Sequence, residues 1–135
     1  MLSKKLKILS KNNKIIGIGV DIIKNDRIKK SIKNKQFVLR VFSKKEIIQS
    51  KKVKNKVNFF SKRFAAKESL VKAIGTGFRN GINFKDITIL NNKLGKPSYQ
   101  LNNKLKKLIY FKFKVKKIKI SLSLADEKKY SIAFS

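Results

Sequence analysis

Apolar positions change their period several times along this chain, and each change marks an element. The run Ile15-Ile16-Gly17-Ile18-Gly19-Val20-Asp21-Ile22-Ile23 is short, β-branched and too apolar for a surface helix, which predicts a buried strand. Strand parity sets Ile16, Ile18, Val20 and Ile22 on one side and Gly17, Gly19 and Asp21 on the other. Two residues without side chains are then expected to leave an open slot beside one carboxylate. From Asp26 to about Phe42, Ile28, Ile32, Val38 and Val41 recur among lysines as a short helix and connector. Ser43, with Glu46 three residues on, has the form of a capping box opening a further helix. Phe60 to Ile74 is the strongest helical segment: Phe60, Phe64, Val71 and Ile74 form one stripe, Ser61 is placed to cap it and Gly75 to stop it.

The glycine-rich stretch Gly75-Thr76-Gly77-Phe78-Arg79-Asn80-Gly81 precedes a predicted strand, Asp86–Leu90, and Asn91 to Pro97 makes a turn carrying the only proline. Leu101, Leu105 and Leu108 are spaced for a second amphipathic helix. Phe111, Phe113 and Val115 alternate in one parity and Ile118, Ile120, Leu122 and Leu124 in the other, so a turn or bulge is expected near Lys116-Lys117. Asp126-Glu127-Lys128 reads as a turn before a closing strand with Tyr130, Ile132 and Phe134. Helices and strands mixed without βαβ repetition predict an α+β fold, an antiparallel sheet with packed helices. Residues 1–13, lysine-rich and without caps, read as a basic extension to a single domain over 14–135.

Composition narrows the chemistry more than it narrows the fold. The 135 residues include 36 Lys+Arg against 7 Asp+Glu, a formal charge of +29, with neither Cys nor His. Thiolate nucleophiles, Ser-His-Asp triads and zinc sites built on Cys or His are excluded, and any metal must be hard and oxygen-bound. The basic residues are 32 Lys and only 4 Arg beside 12 Asn and 18 Ile, a set that shares A/T-rich codons, so much of the lysine reads as genome composition at solvated positions. The field still attracts acidic partners, but it names a sign and no partner. No apolar run reaches the ~18–20 residues of a membrane span, and lysines break the leucines of residues 1–14, so the cytoplasm is the expected compartment.

With only seven carboxylates, each position carries information. Glu68 falls at the margin of the helical stripe with Lys72 at i+4, an arrangement open both to an ordinary helix ion pair and to a site. Lys67 falls inside the stripe, where an ammonium is costly unless it meets something anionic or lies at a subunit interface. The loop from Gly75 to Gly81, with Lys72 and Arg79 nearby, has the composition of a phosphate cradle, though also that of a helix C-cap. Asp21 is equally readable as a strand-end residue turned toward Arg27. Taken together, two carboxylates from separate elements, a lysine and a glycine loop suit a phosphate held with a hard divalent ion.

Three blocks then resemble a known family: Gly17-Ile18-Gly19-Val20-Asp21-Ile22 with Arg27-Ile28, Arg63-Phe64-Ala65-Ala66-Lys67-Glu68-Ser69-Leu70-Val71-Lys72-Ala73-Ile74-Gly75-Thr76-Gly77, and Gly95-Lys96-Pro97. In order and spacing, over about residues 14–134, they resemble the short bacterial phosphopantetheinyl transferases, the holo-acyl-carrier-protein synthases of fatty-acid synthesis. The resemblance implies magnesium-dependent transfer of the phosphopantetheine arm of coenzyme A to a serine of apo acyl carrier protein, releasing adenosine bisphosphate. It implies Asp21 and Glu68 as magnesium ligands and Lys72 on the phosphate. Gly75, Thr76 and Gly77 would line the coenzyme, with Arg63, Lys67, Lys96 and Pro97 toward the nucleotide. Arg27 and the basic segment through Arg40 would dock an acidic carrier helix, and a homotrimer would place its sites between subunits.

Many members carry a histidine after the Ser-Leu-Ser strand, where this chain reads Ser121-Leu122-Ser123-Leu124-Ala125-Asp126-Glu127. Without histidine, the serine proton must go to a carboxylate, Glu68 or Asp126, or to metal-bound water. The competing reading, from another class, is a small basic RNA-binding or ribosome-associated module, supported by the charge and by Phe111-Lys112-Phe113-Lys114. Four arginines are a thin supply for base or phosphate forks, and that reading leaves Asp21, Glu68 and the glycines unexplained, so no nucleic acid is expected as partner.

Overall fold

The structure, a computed structural model, describes residues 14–135. The basic extension read at residues 1–13 lies outside the described residues. In chain order the elements are β1 (Val20–Lys24), α1 (Asn25–Ser31), α2 (Lys35–Val41), α3 (Lys44–Ser50), α4 (Lys56–Ile74), a 3-10 turn (Phe84–Asp86), β2 (Ile87–Asn91), β3 (Pro97–Leu101), α5 (Asn103–Phe113), β4 (Ser123–Asp126) and β5 (Tyr130–Phe134). Both sheets are antiparallel: three strands in the order β1-β5-β4, and the hairpin β2-β3. The α+β expectation therefore holds.

Helix α4 is the piece around which the rest is arranged. Asn55 caps it, its side chain accepting from the Asn58 amide, and Gly75 ends it in the left-handed region at φ 79°. The expected cap, Ser61, lies instead one turn inside the helix, buried, with its hydroxyl unpartnered among the described residues. The start was misplaced because the apolar stripe begins a turn after the helix itself does. On one face α4 meets an aromatic cluster in which Phe42, fully buried, approaches Phe60 at 4.5 Å between ring centres, and burial of one such ring stabilises the fold by about 1.5–3 kcal/mol. The Ser43–Glu46 capping box forms as read, with both reciprocal hydrogen bonds present.

On another face α4 lies against β1, and here the two glycines acquire their meaning. A Cβ on Gly17 would sit 2.1 Å from Ala73 O, and one on Gly19 1.9 Å from Ser69 O. The slot expected beside Asp21 is thus filled by the helix backbone. Gly19 also exchanges both backbone hydrogen bonds with Ser135, extending the β1–β5 ladder.

The strand parity is as read, but its apolar side is not buried within this chain. Ile22 is 59% exposed and Phe134 50%, with Ile18, Val20 and Ile132 beside them, while Ile23, Ser131 and Ala133 face inward. Four further readings differ. Leu101 ends a strand, β3, that begins at the proline; an edge hairpin tolerates Pro at its first residue. Phe111 and Phe113 belong to α5, which Lys114 terminates at φ 52°, because the five-residue alternation was the tail of a helical pattern. Of the stretch from Ile118 to Leu124, only the end from Ser123 pairs as strand. The segment from Asp26 to Phe42 forms two helices, α1 and α2, where one with a connector was expected.

Candidate active site

Asp21 and Glu68 converge because β1 packs so closely on α4. Asp21 follows Gly19 on the strand side that faces the helix, and its Oδ1 accepts from Lys72 Nζ at 2.9 Å; the same ammonium donates to Val20 O at 3.0 Å. Glu68 precedes Lys72 by one helical turn, on the same face. Its carboxyl is held above the usual range, first by burial and then by the neighbouring charge of Asp21, against the opposing pull of Lys72 and Arg27. The response of Glu68 to Asp21 and to Arg27 identifies one cluster of four groups. Arg27, on α1, also lies over the Phe64 ring at 5.9 Å, so it borders this cluster as well as the solvent. Two carboxylates from separate elements are oxygen donors of the kind that could hold a hard divalent ion if phosphate and water completed its shell.

Lys67 departs from the sequence expectation. It is fully buried, and its ammonium donates to Glu46 Oε2 and Val41 O, both at 2.8 Å, and to Phe84 O at 3.1 Å. Glu46 in turn accepts from the Ser43 and Ile89 amides. All three donors of Lys67 are committed within the core, so it cannot reach a nucleotide. The sequence argument that something anionic must meet it was correct, and Glu46 is that group. Burial lowers the proton affinity of Lys67, while Glu46 opposes the change.

Arg63, one turn before Lys67, lies on the same inward face. Burial pushes its pKa down to about 10; it covers the Phe59 ring at 3.5 Å and donates to Asn91 Oδ1 at 2.8 Å. Asn91 donates in turn to Gly95 O, so Arg63 braces the β2–β3 turn that carries Lys96 and Pro97. Glu68 and Lys72 are turned roughly 100° around α4 from this face, by the helical period of 3.6. Within one chain, therefore, the carboxylate cluster and the hairpin occupy different faces of the helix.

The glycine loop also behaves differently from a cradle. The amides of Gly75, Thr76 and Gly77 all point back to Val71 O, at 3.0, 3.3 and 3.4 Å. They close the helix C-terminus, the negative end of its dipole, and offer no converging free amides to a phosphate. The buried Thr76 hydroxyl has no partner among the described residues.

Asp126 is tied to Lys62 at 3.1 Å and Asn58 at 2.7 Å. At the helical rise, Lys62 lies about 9 Å before Glu68 along α4, so Asp126 stands apart from the carboxylate cluster. Arg40 is exposed on α2. Two groups with clear structural roles escaped the sequence reading. Buried Asn25 fastens the β4–β5 turn by donating to Glu127 O and Lys128 O, and Tyr99 joins Ser69 and Ser135 in a cluster of hydroxyls against Ala66 O. Neither residue sits in a pattern that marks it out.

The 4'-phosphopantetheinyl transferase superfamily model matches residues 17–135, nearly all of what the structure describes. The chain belongs to this family. A curated relative, the holo-[acyl-carrier-protein] synthase of Pelagibacter ubique, is 58% identical over 121 residues, spanning 90% of this chain and 94% of its own. Among solved structures, the holo-[acyl-carrier-protein] synthase of Neisseria meningitidis superposes with a TM-score of 0.81 at 35% identity, covering 90% of this chain and 96% of its own. The enzyme from Bacillus anthracis, solved in complex with CoA (3',5'-ADP), gives 0.73 at 32% identity, with 89% and 93% covered. The chain is thus a phosphopantetheinyl transferase of the holo-[acyl-carrier-protein] synthase type. Among the described residues no helix is long and apolar enough to cross a membrane.

Proposed function

We propose that this enzyme transfers the 4'-phosphopantetheine arm of coenzyme A to a serine hydroxyl of apo acyl carrier protein, releasing adenosine 3',5'-bisphosphate. The observation that carries the residue assignment is the meeting of Asp21 and Glu68 across the glycine-packed β1–α4 contact, with Lys72 between them and solvent. Asp21 and Glu68 would hold magnesium. Bound there, the ion supplies Lewis-acid polarisation and charge neutralisation at the transferred phosphorus. Lys72 offers a mobile ammonium to the same phosphate. Glu68, the carboxylate beside Asp21 and Lys72, takes the serine proton as the serine oxygen attacks phosphorus and the adenosine bisphosphate leaves, since Asp126 is engaged by Lys62 and Asn58 away from this cluster. The loop of Gly75, Thr76 and Gly77 at the end of α4 lines the coenzyme.

Arg63 acts on the nucleotide side indirectly, by holding the hairpin that presents Lys96 and Pro97. Since that hairpin and the carboxylates occupy different faces of α4, a complete site draws the hairpin from a second copy. The exposed apolar face of Ile18, Val20, Ile22, Ile132 and Phe134 supports such an assembly, a homotrimer with sites between subunits. Arg27 and Arg40 receive the acidic helix of the carrier protein, in the cytoplasm.

Incubation with coenzyme A, magnesium and apo acyl carrier protein, read by intact mass, tests the activity. The expected product is carrier protein heavier by one phosphopantetheine, with none formed in chelator. Sedimentation equilibrium tests the trimer, and a monomer at all concentrations would remove it.

A further inference from the structure

Lys72 occupies the seat on Asp21 that the reading above gives to a divalent cation. Its ammonium bonds Asp21 Oδ1 and Val20 O while its side chain stays 52% exposed, against 15% for Asp21. The sheltered carboxylate therefore meets solvent largely through a mobile cation of the protein's own. Glu68 lies one turn away on the same helix, close enough for Asp21 to raise its proton affinity. The ammonium paired with Asp21 also acts on Glu68 across the helix turn, so it offsets the repulsion between the two carboxylates.

A divalent ion held by the same oxygens would meet Lys72 at ion-pair distance, so the two cations exclude each other. Once both carboxylates are engaged, the charged group that remains in this cluster is Arg27, of the same sign as Lys72. An ammonium displaced without a new anion goes to water; one displaced as a diphosphate arrives finds a better partner. A lysine suits this exchange, being a compact point charge on a four-carbon stem with no fixed fork to preserve.

We propose that Lys72 is a resident counter-ion that closes Asp21 to divalent cations until a diphosphate draws its ammonium away, so that cation and coenzyme bind as a coupled pair. This rests on Asp21 and Glu68 being the cation ligands. The coupling is reciprocal: the coenzyme tightens the cation by the factor by which the cation tightens the coenzyme.

The test measures Mn²⁺ binding to the full chain by the electron paramagnetic resonance signal of the free ion, with and without coenzyme A. In the unaltered protein, Mn²⁺ alone should bind weakly and coenzyme A should tighten it. Lys72→Met should strengthen Mn²⁺ binding without coenzyme by about fivefold, as expected for releasing one half-exposed ion pair, and should shrink the tightening by coenzyme. Lys72→Arg, which keeps the charge, should restore weak binding, and Lys29→Met, a lysine of the same sign on α1, should change it far less. Unchanged or weaker binding in Lys72→Met without coenzyme overturns the proposal and leaves Lys72 a phosphate contact alone. If Asp21→Asn and Glu68→Gln also leave Mn²⁺ binding unaltered, the cation site itself is misassigned.

Discussion

Replacing Lys67 with methionine tests whether its place beside Glu68 in the sequence is a matter of fold or of ligand. The substitution keeps an unbranched chain in the core but removes three hydrogen bonds and the cation paired with buried Glu46. Breaking a buried pair on one side costs about 3–5 kcal/mol, and leaving the Val41 and Phe84 carbonyls without their donor adds roughly 1–3 kcal/mol for each that finds no water. Domains of this size are stable by about 5–15 kcal/mol, so Lys67→Met should remove a third of the stability or more. Urea unfolding followed by circular dichroism reads this directly as a lower midpoint. Lys67→Met combined with Glu46→Met removes the orphaned charge and should recover part of the loss. A Lys67→Met protein with an unchanged midpoint and a raised KM for coenzyme A would refute the structural role and return Lys67 to the nucleotide.

The other expectations are more local. Asp21→Asn and Glu68→Gln should each lower phosphopantetheine transfer by more than about two orders of magnitude in the intact-mass assay, with folded circular dichroism spectra retained. Because the folded Glu68 carboxyl is raised above its unfolded value, its favourable contribution is complete at low pH and lost as pH rises through the folded value. Glu68→Gln should therefore melt higher than the unaltered protein at pH 7, and the gain should vanish below about pH 4, by differential scanning calorimetry. Gly19→Ala, whose new methyl would meet Ser69 O at 1.9 Å, should cost about 2 kcal/mol or more in urea unfolding and weaken transfer by shifting Asp21. Arg40→Glu should raise KM for carrier protein and flatten its salt dependence while KM for coenzyme A stays put; an equal rise in both would remove Arg40 from the docking surface.

Elements with a local cause were readable. The Ser43–Glu46 box and the Gly75 stop each follow from a handful of neighbouring residues, and the structure forms both. Errors arose where a pattern was too short to fix its period. Phe111, Phe113 and Val115 alternate like a strand, yet the first two belong to the helix begun at Asn103 and Val115 follows its cap, since three positions are too few to fix a period. Lys67 shows a different limit. Its position in the stripe required an anion, but only the tertiary fold brings Glu46, from a separate helix, to meet it.

The Gly-x-Gly-x-Asp strand shows how a motif read for one purpose serves another in the fold. From parity alone the glycines left room for a ligand; in the fold they admit the backbone of α4, at distances no side chain tolerates. That contact fixes which residues of the helix stand over the strand. Asp21, beyond the second glycine, is brought to Lys72 and into the field of Glu68. The same packing settles the other side of the strand. With the glycine side turned to the helix, Ile18, Val20 and Ile22 must point away from it, and β5 adds Ile132 and Phe134 to the same outward face. A strand read as buried is thus covered on one face by its own chain, while its other apolar face stays exposed within that chain. The residues that turn to α4 and those of the exposed apolar face alternate along one strand, so the placement of Asp21 and the exposure of Ile18, Val20 and Ile22 follow from the same packing.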